Sequence, residues 1–110
     1  MNAPQAFVSK DDIGHYVGGK LINPKDGRFA DVYNPAMGSV ARKVALASRK
    51  EVDAVVGVAQ EAFASWSQTS PLRRARIMFK FLELLNANRD ELAAIITAEH
   101  GKVFTDAQGE

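Results

Sequence analysis

Between Ser70 and Lys102 the chain reads SPLRRARIMFKFLELLNANRDELAAIITAEHGK, two consecutive helical patterns joined at Asn86–Asn88. In the first pattern Arg73, Arg76, Lys80 and Glu83 recur at helical spacing and share one narrow stripe. Ile77, Met78, Phe79, Phe81, Leu82, Leu84 and Leu85 fill the rest of the circumference. A helix apolar on most sides is normally covered on most sides. This helical hairpin therefore wants more partners than a short chain supplies. Nothing in its spacing or composition names a reaction.

The totals narrow the classes. At most one domain fits in 110 residues. Hydrophobic and charged shares of 46% and 25% are those of a globular chain and argue against disorder. A formal net charge of +1 gives no overall pull towards nucleic acid or an anionic membrane. The absence of cysteine removes any disulfide framework, thiolate metal site or thiol nucleophile from these residues. The N-terminus, MNAPQAFVSKDD, has neither the basic start nor the apolar run of a secretory signal. No apolar stretch approaches the ~20 residues needed to span a bilayer. The expectation is a soluble, cytoplasmic protein with no nucleic-acid or membrane partner.

Met1 to Asp12 is polar and mixed, and reads as a loose arm. Ile13 to Ile22 contains Tyr16-Val17-Gly18-Gly19-Lys20-Leu21-Ile22, a hairpin whose glycines supply the positive φ of a tight turn. Asn23-Pro24 and Asp26-Gly27 mark a second turn, and Asn34-Pro35 with Gly38 a third. Phe29–Tyr33 and Val40–Ala47 read as strands with imperfect alternation. Asp31 falls on the face of Phe29 and Tyr33, and Arg42 on that of Val40, Val44 and Leu46.

Ser48 and Glu51 form a capping box ahead of a helix whose one face carries Val52, Val55, Val56, Ala59, Phe63 and Trp66. Phe63 and Trp66 are expected in the core. Gly57 inside this helix costs ~1 kcal/mol against alanine, a cost consistent with close approach of another backbone. Ser70-Pro71 starts the next helix with a cap and a proline at its first position. Asn88 and Glu91 read as a second box-like start, and Leu92, Ile95 and Ile96 as the buried face. Gly101 is placed for a left-handed cap, with Lys102 beside the negative end of the dipole. Thr105 then reads as a fresh N-cap with Asp106 in its first turn, a helix begun and cut short, as in a fragment.

Gly14-x-x-x-x-Gly19-Lys20 approaches a phosphate loop, but Leu21 stands where a magnesium-binding hydroxyl is needed and Pro24 blocks the following helix. No G-x-G-x-x-G occurs. Glu99-His100 lacks the second histidine of a zinc-protease helix, and His15 is the sole other histidine. Glu99 follows Ile95 and Ile96 by four and three residues, so its carboxylate points to the apolar side at the negative end of its helix. It needs a partner, an arginine or backbone donors, and reads as a structural anchor. In the basic cluster Arg73, Arg74, Arg76 and Lys80, the first and last two form a solvated face. Arg74, off the stripe, is the one placed to reach inward.

Taken together, the hairpin ending in Gly19, Asn34-Pro35-Ala36 with Gly38, Glu51-Val52-Asp53 leading to Ala62-Phe63 and Trp66, and Pro71 with Arg74 resemble a known family. Asp90-Glu91-Leu92-Ala93, Glu99 with Gly101-Lys102, Ala107 and Glu110 complete the pattern, which covers nearly everything after residue 12. It looks like the N-terminal portion of an aldehyde dehydrogenase. Thr69–Arg76 and Glu99-His100-Gly101-Lys102 resemble the branch that oxidises methylmalonate and malonate semialdehydes with acylation of coenzyme A; Met37 departs from the alanine or threonine usual there.

The resemblance implies an α/β protein several times longer, with an NAD-binding domain, a catalytic domain and a bridging arm, assembled as a homotetramer or homodimer. It implies NAD as cofactor, coenzyme A as co-substrate and a cysteine nucleophile. That cysteine is absent here, and no catalytic, cofactor-binding or metal residue of the family maps onto these positions. By itself the chain is expected to be α+β: residues 1–12 an arm, 13–110 the start of a cofactor domain, strands followed by three amphipathic helices. Its partner would be the remainder of its own polypeptide, and alone it would be inactive. Two other readings remain at this point. One is a hydrolytic NAD(P)-dependent aldehyde dehydrogenase. The other is a small helical interaction module with no enzymatic role, which would be soluble and unfold cooperatively at this length.

Overall fold

Two adjacent glycines with positive φ, Gly18 at 57° and Gly19 at 77°, turn the first hairpin. Both central residues of a type I′ turn need that sign of φ. Strand β1 (His15–Val17) and strand β2 (Lys20–Ile22) pair antiparallel with Tyr16 opposite Leu21. The resemblance to a phosphate loop ends here, since strand, turn and strand occupy the whole segment. The structure, a computed structural model, describes residues 11–110. The arm expected over residues 1–12 lies outside the described residues up to residue 10. Asp12 is fixed: its Oδ1 accepts from Lys43 N at 2.9 Å.

Strand β3 (Arg28–Asn34) and strand β4 (Ser39–Leu46) form a second, longer antiparallel hairpin. Asn34 closes its turn twice. The side-chain Oδ1 accepts from Ala36 N at 2.9 Å and from Met37 N at 3.3 Å, and the backbone oxygen accepts from Gly38 N at 2.8 Å. Val32 pairs with Arg42 but Tyr33 pairs with Val40, so Ala41 is an extra residue in β4. Such a bulge shifts the phase of alternation. It is why neither strand reads as a clean two-faced pattern. Ile13 adds a short parallel bridge to β4, donating to Lys43 O at 2.7 Å and accepting from Ala45 N at 2.9 Å.

Four helices follow: α1 (Arg49–Trp66), α2 (Pro71–Ala87), α3 (Arg89–His100) and the single turn α4 (Phe104–Ala107). The capping box forms as expected, Glu51 N donating to Ser48 Oγ at 3.2 Å and Ser48 N to Glu51 Oε2 at 2.6 Å. Ser70 caps α2 with Pro71 in its first turn, and Gly101 ends α3 at φ 81°. Two caps differ from expectation. Asn88 stands at the N-cap of α3 but makes no side-chain cap; its Nδ2 donates back to Leu84 O at 2.8 Å and closes α2 instead. With one residue between two helices, a single amide serves the carbonyls it already faces. Val103, not Thr105, precedes α4.

The elements lie in a slab of 47 × 36 × 17 Å. Its radius of gyration is 17.2 Å, where a compact domain of about 100 residues has about 13 Å. Domains enclose a core between packed layers of secondary structure, and little of this chain is enclosed in that way. Among the described residues only Ala45, Ala93, Ala94 and Ala107 are buried. Ala45 lies on β4, Ala93 and Ala94 on α3, and Ala107 on α4, which packs against α3. The expected buried face of α3 is thus rotated: its alanines are inside, while Leu92 and Ile95 are exposed. Short side chains let α3 approach its neighbours closely. Phe63 and Trp66, expected in the core, are 65% and 41% exposed, because nothing in this chain covers the C-terminal end of α1. No atom comes within 4 Å of a Cβ built on Gly57, so the close approach expected there is not made within the chain.

Candidate functional site

Two residues that break their local patterns answer each other. Arg42 interrupts an apolar strand, and Glu99 places a carboxylate at the negative end of α3. In the fold Arg42 Nη2 donates to Glu99 Oε1, a salt bridge spanning 57 positions. The arginine side chain is 9% exposed and the glutamate 37%. This is the arginine partner that the sequence pattern of Glu99 requires. The outer end of the pair meets water, which limits its electrostatic strength.

The same junction joins two turns. Gly101, left-handed at the end of α3, lies so close to the β3–β4 turn that a Cβ there would sit 3.3 Å from Pro35 Cγ. Asn34-Pro35-Ala36 and Glu99-His100-Gly101-Lys102, far apart in sequence, therefore form one contact. Around it α4 is fastened to α3. Arg89 Nε donates to Gln108 O at 2.9 Å, Gln108 Nε2 to Asp90 Oδ1 at 2.6 Å, and Lys102 Nζ to Glu110 Oε1. Arg74 is half-buried, whereas Arg73, Arg76 and Lys80 are exposed.

This arrangement holds elements together. A cleft of about 660 Å³ lies between the β1–β2 hairpin and α1, lined by Tyr16, Val17, Ile22, Val52 and Val55 with His15 and Glu51. Glu51 is already engaged at the helix cap. The Ser48 hydroxyl first, and then the Ser48 N–H, hold its carboxyl below the usual glutamate value, against a small opposing effect of desolvation and with a still smaller pull from His15. A second cleft of about 380 Å³, between α2, α3 and α4, is lined mainly by Leu82, Leu85, Leu92, Ile96 and Ala107. Among the described residues no three His, Cys, Asp or Glu side chains stand close enough to hold a metal ion. No described helix is long and apolar enough to cross a membrane. Sequence reasoning marked no catalytic or cofactor-binding residue; the one pairing it left open, the donor to Glu99, was signalled by Arg42 breaking the alternation of β4.

Residues 22–110 match the model of the aldehyde dehydrogenase family. The chain belongs to that family. Over 106 residues it is 46% identical to the malonate-semialdehyde dehydrogenase of Bacillus pumilus (strain SAFR-032), covering 94% of this chain and 22% of the relative. The crystal structure of methylmalonate-semialdehyde dehydrogenase from Oceanimonas doudoroffii superposes with a TM-score of 0.86 at 43% identity, covering 90% of this chain and 20% of that one. A Sinorhizobium meliloti 1021 protein described as a methylmalonate-semialdehyde dehydrogenase, complexed with NAD, gives 0.85 at 44% identity, covering 89% and 20%. The chain thus spans about a fifth of the length of these aldehyde dehydrogenases. The backbone superposes on one fifth of each of these structures, so the exposed faces of α1 and α2 belong to a partial domain.

Proposed function

We propose that this chain is the N-terminal scaffold of a malonate- or methylmalonate-semialdehyde dehydrogenase that uses NAD and acylates coenzyme A. The observation that carries the reading is its similarity, in sequence and in backbone, to proteins of that name from three bacteria. For malonate semialdehyde the balanced reaction is semialdehyde + coenzyme A + NAD⁺ → acetyl-CoA + CO2 + NADH. The thiol of coenzyme A ends in the thioester, the carboxylate leaves as CO2, and the aldehyde hydrogen leaves as hydride. On this reading residues 13–110 open the NAD-binding domain, the enzyme is a cytoplasmic homotetramer or homodimer, and the attacking cysteine is supplied by the remainder of the polypeptide.

On this reading the NAD site lies outside these residues. Helix N-termini bind a pyrophosphate only when their amides are free. That of α1 is filled by Ser48 and Glu51, that of α2 by Ser70, and that of α3 carries Asp90 and Glu91. The glycines of residues 14–20 turn a hairpin. The contribution of this chain is mechanical: Arg42–Glu99 and Pro35–Gly101 fix α3 against β3 and β4.

The test is a chimera in which this chain replaces the matching segment of the B. pumilus relative. NADH formation is followed with malonate semialdehyde, with and without coenzyme A, and the products are identified. The reading predicts turnover that needs coenzyme A and yields acetyl-CoA, with none from the 110-residue chain alone. Free acid formed at the same rate without coenzyme A would favour the hydrolytic branch.

A further inference from the structure

Among the described residues, the ion pair and hydrogen bonds that join distant elements of this chain gather on one side of it. The bridge from Arg42 to Glu99 and the Pro35–Gly101 contact join the β3–β4 hairpin to α3. Ile13 and Asp12 bond to the backbone of β4, and Arg89, Asp90 and Lys102 hold α4. All four buried residues lie in this body, on β4, α3 and α4.

Helices α1 and α2 take little part in it: the β1–β2 turn nears α1, where a Cβ on Gly18 would lie 3.6 Å from Val58 Cγ1, and the end of α2 borders α3 at Leu85 and Leu92. Neither has a buried residue. Side-chain bonds here join near neighbours in sequence: Ser48 with Glu51, Thr69 with Ser65, Ser70 with Arg73, Lys80 with Glu83, and Asn88 with Leu84. Helices of 18 and 17 residues are only marginally stable in water when no packing supports them, and Gly57 weakens α1 further.

We infer that β3, β4, α3 and α4 form a unit that orders by itself, and that α1–α2 is a helical strap, jointed at Ala47–Ser48 and at Asn88, whose order depends on its apolar faces being covered. The inference rests on this chain's geometry alone and does not depend on the proposed reaction.

Amide hydrogen exchange of the 110-residue chain, followed by mass spectrometry at two protein concentrations, tests it. Amides of β3, β4 and α3 are expected to be protected about 100-fold more than those of α1 and α2, as in separately opening units. Strap protection that rises with concentration also supports the inference, because a second copy is then the cover. Protection of α1 and α2 equal to that of α3 and independent of concentration overturns it. Glu99→Gln, which weakens a charged hydrogen bond, should lower protection in β4 and α3 together by about tenfold. An effect confined to the last turn of α3 would mean that the interlock is not cooperative, and would overturn the unit. Phe79→Lys, on the exposed face of α2, should leave the unit's protection unchanged; loss of protection in α3 and β4 would overturn the separation.

Discussion

Gly38 and Gly101 both have left-handed backbones, with φ of 66° and 81°, but different surroundings. Nothing lies within 4 Å of a Cβ built on Gly38, whereas one built on Gly101 meets the Pro35 ring. A left-handed alanine costs about 1–2 kcal/mol at either site from backbone sterics alone. Gly101→Ala should therefore cost more than Gly38→Ala, and the excess should shrink in a Pro35→Ala background, where the ring is gone. Urea midpoints of the four variants close that cycle. Equal costs at the two glycines would mean that Pro35 yields freely and that the turn-to-cap contact fixes nothing. Arg42 belongs to the same scale. Its pairing was legible only as a question, because a strand pattern shows that a charge is misplaced without showing what it meets 57 residues later.

Helix boundaries follow from residues three or four apart, which is why they could be read before the fold was known. Ser48 with Glu51, Ser70 with Pro71 and Gly101 stand where their spacing places them. Asn88 shows the limit: an asparagine between two helices can serve either, and local sequence does not choose. The capping box of α1 carries a pH signature. Glu51 has its carboxyl held low in the fold by Ser48, so its contribution is complete above the ordinary glutamate value and disappears as pH falls through the lowered one. Acid titration of helicity by circular dichroism should thus show a loss from α1 that Glu51→Gln removes from the difference curve. On the same helix Gly57→Ala should raise stability by ~1 kcal/mol in this chain, since the added methyl meets only solvent. The sign should reverse in the chimera if the remaining polypeptide brings a backbone against Gly57.

Burial was the least legible property, and the reason lies at the scale of the whole molecule. Helical spacing identifies which face of α1 or α2 is apolar, but not whether anything lies over it. Phe63 and Trp66 read as core residues and are exposed, because nothing in this chain lies over that end of α1. Contiguous apolar surface of this kind marks an interaction site in an assembled protein and an aggregation liability in an isolated one. The same substitution should therefore have opposite effects in the two settings. In the 110-residue chain, Phe63→Lys with Phe79→Lys should reduce binding of a hydrophobic dye and shift sedimentation towards monomer. In the chimera with the rest of a semialdehyde dehydrogenase, the same pair should lower the yield of folded, NADH-forming enzyme, because two ammonium groups would then be carried into an apolar contact. An active chimera obtained in normal yield would show that these faces stay in water after assembly, and that the layer covering this chain lies against other residues.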